Sequence, residues 1–201
     1  MNIRCPYCDS LERHRLLWLY LKYRTDLFED NKSTRKVLHF SPTHIFQEKL
    51  TNFPQIEYFS ADLEVSRADI QVDITRIPSK DNFFDVILCI HVLEHVPNDQ
   101  QAMKELYRIL KPGGWAIIQS PLNEMLEKTL EASWISSPRK RVKYFRHSNH
   151  VRIYGQDYKE RLEKAGFKVK VDKFARDLKP AIIEKFVLIP SEEIFFCEKS
   201  K

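Results

Sequence analysis

Glycine is scarce in this 201-residue chain. The four present are Gly113, Gly114, Gly155 and Gly166, so no turn in the first 112 residues can rely on one. That excludes a G-x-G-x-x-G dinucleotide loop and a G-x-x-x-x-G-K-[ST] phosphate loop from the first half. Any loop there that approaches a ligand must do so with residues that carry side chains. Cysteine is sparse too. Cys5, Cys8, Cys89 and Cys197 are too few and too scattered for a disulfide scaffold, and the last two fall in apolar runs where a buried free thiol is expected. No apolar run approaches the length of a membrane span, and the opening MNIRCPYCDS has no apolar signal core. The expected location is therefore the cytoplasm. Neither sign of charge dominates: a formal +5 permits an anionic ligand without requiring nucleic acid. No internal repeat or low-complexity tract breaks the chain, and its length suits one domain, residues 1–201, with a sizeable core.

What the chain does have is a clear β-α-β signal over residues 81–121. Phe84 to Ile90 is a short apolar run, as expected for a strand covered on both faces. Pro97 and Asn98 break the chain, and Asn98 with Gln101 three residues on reads as a helix cap. Ala102, Met103, Leu106, Ile109 and Leu110 then recur at helical spacing. Lys111-Pro112-Gly113-Gly114 ends that helix, and Trp115 to Gln119 is the next strand. Upstream, Leu11 to Tyr23 reads as a helix capped by Asp9 or Ser10, with His14, Leu17, Trp18 and Leu21 on one face. Further strands are expected at Arg35–Phe40, Ile56–Ala61 and Ala68–Asp73, the second with Asp62 at its carboxyl end. Met125, Leu126, Leu130 and Trp134 suggest a helix after the fifth strand. A helix over Gln156–Ala165 ends at Gly166, and Lys168–Phe174 alternates as a strand with one exposed face. The tail, through Phe186 to Glu198, ends in an apolar edge strand.

FDVILCIHVLEHV followed by LYRILKPGGWAII resembles the fourth-to-fifth-strand unit of class I S-adenosylmethionine (SAM)-dependent methyltransferases. Cys5-Pro-Tyr-Cys8-Asp-Ser-Leu-Glu-Arg-His-Arg15 further resembles a methyltransferase type 11-like group, which carries CPxCxSLERHR after an earlier Cys pair. The resemblance implies an α/β Rossmann-like fold: three layers, a seven-stranded mostly parallel sheet, and an antiparallel last strand inserted beside the fifth. It implies methyl transfer from SAM to a small or medium acceptor, and a small molecule as partner rather than membrane or nucleic acid. It makes residues 1–10 look like a partial zinc-ribbon remnant with too few ligands to hold a metal alone. It makes 122–150 a basic insertion roofing the acceptor. Arg139, Lys140, Arg141, Lys143 and Arg146 in that roof point to an anionic acceptor.

The same resemblance assigns residues. His39, Phe40, Ser41 and Pro42 occupy the first cofactor loop, which here lacks glycine and has Thr43 where the group has an acid. Asp62 would hold the ribose hydroxyls, with Leu63 beside the adenine, and Asp73 and Ile74 would meet the adenine amine and ring. Arg13 would meet the methionine carboxylate. Ile90 and His91 line the crevice beyond the strands, where His91 is either a general base or a cofactor wall. His150, Arg152 and Tyr154 are candidate acceptor contacts, with His150 a candidate catalytic residue, or else anchors of the roof. The altered first loop also admits a catalytically inactive binding or regulatory protein on this fold. The Cys pair admits a zinc-ribbon module associated with nucleic acid.

Overall fold

The computed structural model describes residues 4–29, 33–64, 66 and 68–201. Seven strands, β1 (Arg35–Phe40), β2 (Ile56–Asp62), β3 (Ile70–Gln71), β4 (Phe84–Ile90), β5 (Leu110–Gln119), β6 (Lys168–Asp172) and β7 (Ile194–Glu198), form one sheet. The order is β3-β2-β1-β4-β5-β7-β6. The first five are parallel to one another, and β7 runs antiparallel between β5 and β6. The chain's last strand is therefore interior, not an edge strand, and β6 takes the edge. The helices are α1 (Glu12–Arg24), α2 (His44–Thr51), α3 (Asp99–Ile109), α4 (Pro138–Phe145), α5 (Tyr158–Lys164), α6 (Phe174–Asp177) and α7 (Pro180–Phe186).

Alternation along the strands builds two apolar layers. In β4, Ile87 and Cys89 face a core completed by Met103 and Leu106 of α3 and Tyr158 and Leu162 of α5. Val86 and Leu88 face the opposite core, closed by Leu17 and Leu21 of α1, Phe46 and Leu50 of α2 and Phe174 of α6. This double burial is why β4 reads as a continuous apolar run. Asn98 caps α3 as its spacing indicates, its Oδ1 accepting from the Gln101 N–H at 3.1 Å. In α1 the cap differs from expectation: the cap residue is Leu11, whose side chain accepts nothing, and its own N–H donates to His14 Nδ1 at 3.2 Å.

Two expected elements change. The third strand shrinks to Ile70–Gln71, paired with Ala61 and Asp62. The segment expected as a helix around Met125 and Trp134 is instead turns, pinned by isolated bridges from Leu122 to Tyr154 and Leu130 to Ile153. Leu126 and Leu130 pack on a small separate cluster of Ile135, Phe145 and Ile153, while Met125 and Trp134 are exposed, so the four do not share one helix face. The helix in this region is α4, started by Ser137 and Pro138 and ended at Arg146, whose φ is +63°.

Arg152 ties this segment to the body. It is 2% exposed. Its guanidinium donates to the backbone carbonyls of Leu93, Val96 and Pro97 and to Glu131. Tyr154 Oη donates to Asp99 at 2.8 Å, and Arg161 grips the same carboxylate. Arg152 and Tyr154 are thus anchors rather than acceptor contacts. Arg152→Ala takes the guanidinium donor from three backbone carbonyls and leaves those of Val96 and Pro97 without it in a half-buried setting, and it should lower the unfolding free energy by about 3 kcal/mol. Chemical denaturation measures this; a loss under about 1 kcal/mol would mean the anchor is dispensable.

Candidate active site

The order β3-β2-β1-β4-β5 reverses direction between β1 and β4, and ligands of such sheets bind beyond the carboxyl ends at that switch. Both strands leave the sheet there through a residue with positive φ that is not glycine: Ser41 at +48° and His91 at +57°. Each is held by its own N–H. Ser41 donates to the Ala61 carbonyl of β2 at 2.8 Å, and His91 donates to the Gln119 carbonyl of β5 at 2.8 Å. The two strand ends are thus drawn away from each other, and the crevice opens between them.

Three chambers meet at this point. The first, about 900 Å³, lies under α1 and the start of α2 and is lined by Arg13, His14, His39, Ser41, Thr43, Ile90 and His91, among others. The second, about 760 Å³, lies over β2 and β3 and includes Phe40, Ser41, Asp62, Leu63, Asp73, Ile74 and His91. The third, about 300 Å³, lies beyond β5 and includes Glu12, Arg13, His91, Ser120, Glu124, Glu192 and Glu193. His91 lines all three.

Asp62 is nearly buried at the end of β2 and is oriented from two sides. Ser41 Oγ donates to its Oδ2 at 2.8 Å and the Glu64 N–H donates to its Oδ1 at 2.9 Å. A carboxylate oxygen can accept more than one bond, so both remain competent toward ligand hydroxyls. Asp73 sits in a turn whose Thr75 N–H and hydroxyl both donate to its Oδ1 at 2.8 Å. Ile74 is buried beneath the chamber floor, and Leu63 is exposed at its rim. In the first chamber two buried polar atoms have no partner, Arg13 Nε and Thr43 Oγ1. Pro42 precedes Thr43, the N-terminal cap residue of α2, and itself lines none of the three chambers.

Glu94 was not singled out by sequence reasoning. It lies three residues past His91, a spacing that places both on one side of the tight turn Leu93–His95. Its carboxylate is 1% exposed. Ser120 Oγ donates to Oε2 at 3.0 Å, while Oε1 lies 3.3 Å from His91 Nδ1. That second distance is long for a hydrogen bond, and such contacts commonly tighten when a ligand arrives. Burial alone would raise the Glu94 carboxyl; the imidazole of His91 beside it outweighs this and holds it below the usual range. A carboxylate against Nδ1 favours the tautomer protonated there, which leaves Nε2 free to accept a proton.

The third chamber is acidic. Burial pushes the Glu192 carboxyl above its usual range, and Glu12 adds to that. Gln119 fixes the tail over the chamber: its Nε2 donates to the Glu193 carbonyl and its Oε1 accepts from the Phe195 N–H. Helix α4, with Arg139, Lys140, Arg141 and Lys143, lines none of the three chambers. The residues on which the expectation of an anionic acceptor rested therefore lie outside these three linings. His150 is not brought to the site either. Its Nδ1 donates to the Phe145 carbonyl at 3.2 Å, and its ring packs on His95 and His147. Near the amino end, Cys8 Sγ donates to Ser10 Oγ at 3.2 Å, and Cys5 and Cys8 are free thiols.

A family model described as a methyltransferase domain matches residues 13–170. The chain belongs to the methyltransferase domain family. SAM, the cofactor that the sequence resemblance implied, is the methyl donor of this family. Over 66 residues the methyltransferase chain is 32% identical to the ubiquinone/menaquinone biosynthesis C-methyltransferase UbiE of Stutzerimonas stutzeri, a stretch that covers 31% of this chain and 26% of that protein. An S-adenosylmethionine-dependent methyltransferase from Mesorhizobium loti has the same fold, with a TM-score of 0.65 at 12% identity, covering 90% of this chain and 97% of that one. The [4+2]-cyclase SpnF matches with a TM-score of 0.63 at 18% identity, over 92% of this chain and 81% of its own. Fold likeness at such identities fixes the architecture, and the chemistry has to be argued from the site. Among the described residues no helix is long and apolar enough to cross a membrane.

Two histidines beside the first chamber tie stability to pH. Burial lowers His39 to about 3 and, with Arg13 second, lowers His14 to about 4. His39 Nδ1 pairs with Tyr58 Oη at 3.0 Å. Unfolded, both would titrate near 6.5. Their folded values are depressed, so their contribution is fully present above 6.5 and is lost as pH falls toward 4 and 3. His39 alone contributes a slope approaching 1.4 kcal/mol per pH unit, at most roughly, within that window. Denaturation between pH 6.5 and 5 should show falling stability and a flatter dependence in His39→Asn. An unchanged slope in the variant would contradict this account.

Proposed function

We propose that the chain is a SAM-dependent methyltransferase that holds the donor across the first and second chambers and a neutral or cationic acceptor in the third. The observation that carries this reading is His91, the residue common to all three linings. When bound, SAM supplies a methyl group already activated by its sulfonium. Asp62, aimed by Ser41, accepts the ribose hydroxyls, and Asp73 stands at the adenine end above Ile74. The unpartnered donors Arg13 Nε and Thr43 Oγ1 suit a carboxylate at the other end of the first chamber. Asp9 and Glu48, also in that lining, are the carboxylates available to an ammonium group in place of the acid that the first loop lacks.

With a sulfonium donor, the protein's work is to align donor and nucleophile and to exclude water. His91 Nε2, with Glu94 behind Nδ1, can take a proton from an amine or hydroxyl as it attacks. Glu12, Glu124, Glu192 and Glu193, against Arg13 in the lining and Lys173 paired with Glu193, leave an acidic balance that disfavours a carboxylate or phosphate acceptor and favours an amine. Residues Cys5 to Arg15 keep the resemblance to the CPxCxSLERHR group, and their part here is to place α1 as the wall between the first and third chambers.

Calorimetry and a labelled-SAM transfer assay over amine, hydroxyl, carboxylate and phosphate acceptors test this together. Asp62→Ala should weaken SAM binding more than tenfold. Glu94→Gln should leave SAM affinity within about threefold while transfer falls about a hundredfold. Unchanged affinity in Asp62→Ala would refute the donor placement. Transfer confined to carboxylates or phosphates would refute the acceptor polarity.

A further inference from the structure

We propose that His95, His147 and His150 form a binding site for a divalent transition metal, with zinc the best fit, on the rim of the second chamber. One ring nitrogen from each lies within 4.8 Å of the others. The ring centroids of His150 lie 4.7 Å from both His95 and His147, and those of His95 and His147 are 5.7 Å apart. Around tetrahedral zinc, ligand nitrogens at about 2.05 Å from the metal sit about 3.3 Å from one another. Closing the difference takes small side-chain rotations, and two of the three residues are exposed and free to make them.

The surroundings suit ligation. His95 Nδ1 donates to the Asn149 carbonyl at 3.3 Å, and His150 Nδ1 donates to the Phe145 carbonyl at 3.2 Å. A backbone carbonyl on Nδ1 fixes the tautomer that presents Nε2, the arrangement typical of metal-bound histidine. His147 differs: its Nδ1 accepts the Asn149 N–H at 3.2 Å, so ligation through Nε2 requires that ring to turn away from this contact. An all-imidazole set with no carboxylate selects zinc, nickel or copper over magnesium or calcium. Three protein ligands leave a fourth position open to water.

The site joins two segments far apart in sequence. His95 ends the turn after β4 that also carries Glu94, and His147 and His150 follow α4. His95 and Asn149 both line the second chamber. An ion here would clamp residues 147–150 against residues 93–97 at the chamber mouth. It does not depend on the proposed acceptor or on methyl transfer.

The test uses the full chain without an affinity tag, stripped with chelator and titrated calorimetrically with zinc, then with magnesium. One zinc per chain at micromolar affinity or better is expected, with no magnesium binding. His147→Ala and His147→Gln should each weaken zinc at least tenfold while the metal-free melting temperature stays at the wild-type value. The Cys5→Ser/Cys8→Ser double variant should bind as wild type. Absence of zinc binding, wild-type affinity in the His147 variants, or loss of binding in the cysteine variant would each overturn the proposal; the last would move the metal to the amino-terminal thiols.

Discussion

The site depends on how β1 and β4 end. A parallel sheet makes a crevice where its winding reverses, but the backbone must turn sharply there to leave room for a ligand. Glycine is the usual means, because it takes positive φ without steric cost. Here Ser41 and His91 do it, at +48° and +57°, with each N–H tied to the strand on its far side. Left-handed backbone at such residues is held only where surrounding bonds over-determine it. The gain is that two working side chains stand where glycines would leave none. Ser41 Oγ aims the Asp62 carboxylate, and the His91 ring reaches all three chambers.

That explains what was legible in the sequence. The β-α-β unit around residues 81–121 was readable because double burial of β4 and the Asn98 cap leave marks at fixed spacings. Asp62 at the end of β2 and Asp73 in the turn after β3 both line the second chamber, which their places in the sequence suggest. Glu94 could not be placed that way, because a buried carboxylate next to a histidine looks in sequence like any solvated acid in a loop. Its signal was present in the three-residue spacing from His91, but only the turn Leu93–His95 makes that spacing mean contact. Glu192 and Glu193 were hidden for another reason. They reach the site from the tail through Gln119, across a separation of more than 70 residues that no local pattern records.

Two expectations about residues 137–150 share a cause. The basic run over 137–146 is conspicuous in sequence, and its place after the fifth strand suggests a roof over the acceptor. In space it forms α4, outside the three chambers, while the buried Arg152 that follows it anchors the segment to the body. His150 followed the same path, and its ring ended beside His95 and His147. Charge density along the chain reports a solvated helix, while the acids of the third chamber come from α1, the loop after β5 and the tail.

The central claim is that a glycine-free switch point still cradles SAM. A crystal structure grown with the demethylated product of SAM tests it most directly. The account predicts density running from the Arg13–Thr43 end of the first chamber, past His91, to Asp62 and Asp73, with the ribose hydroxyls on the Asp62 carboxylate. Density elsewhere, or a ribose turned away from Asp62, would contradict it.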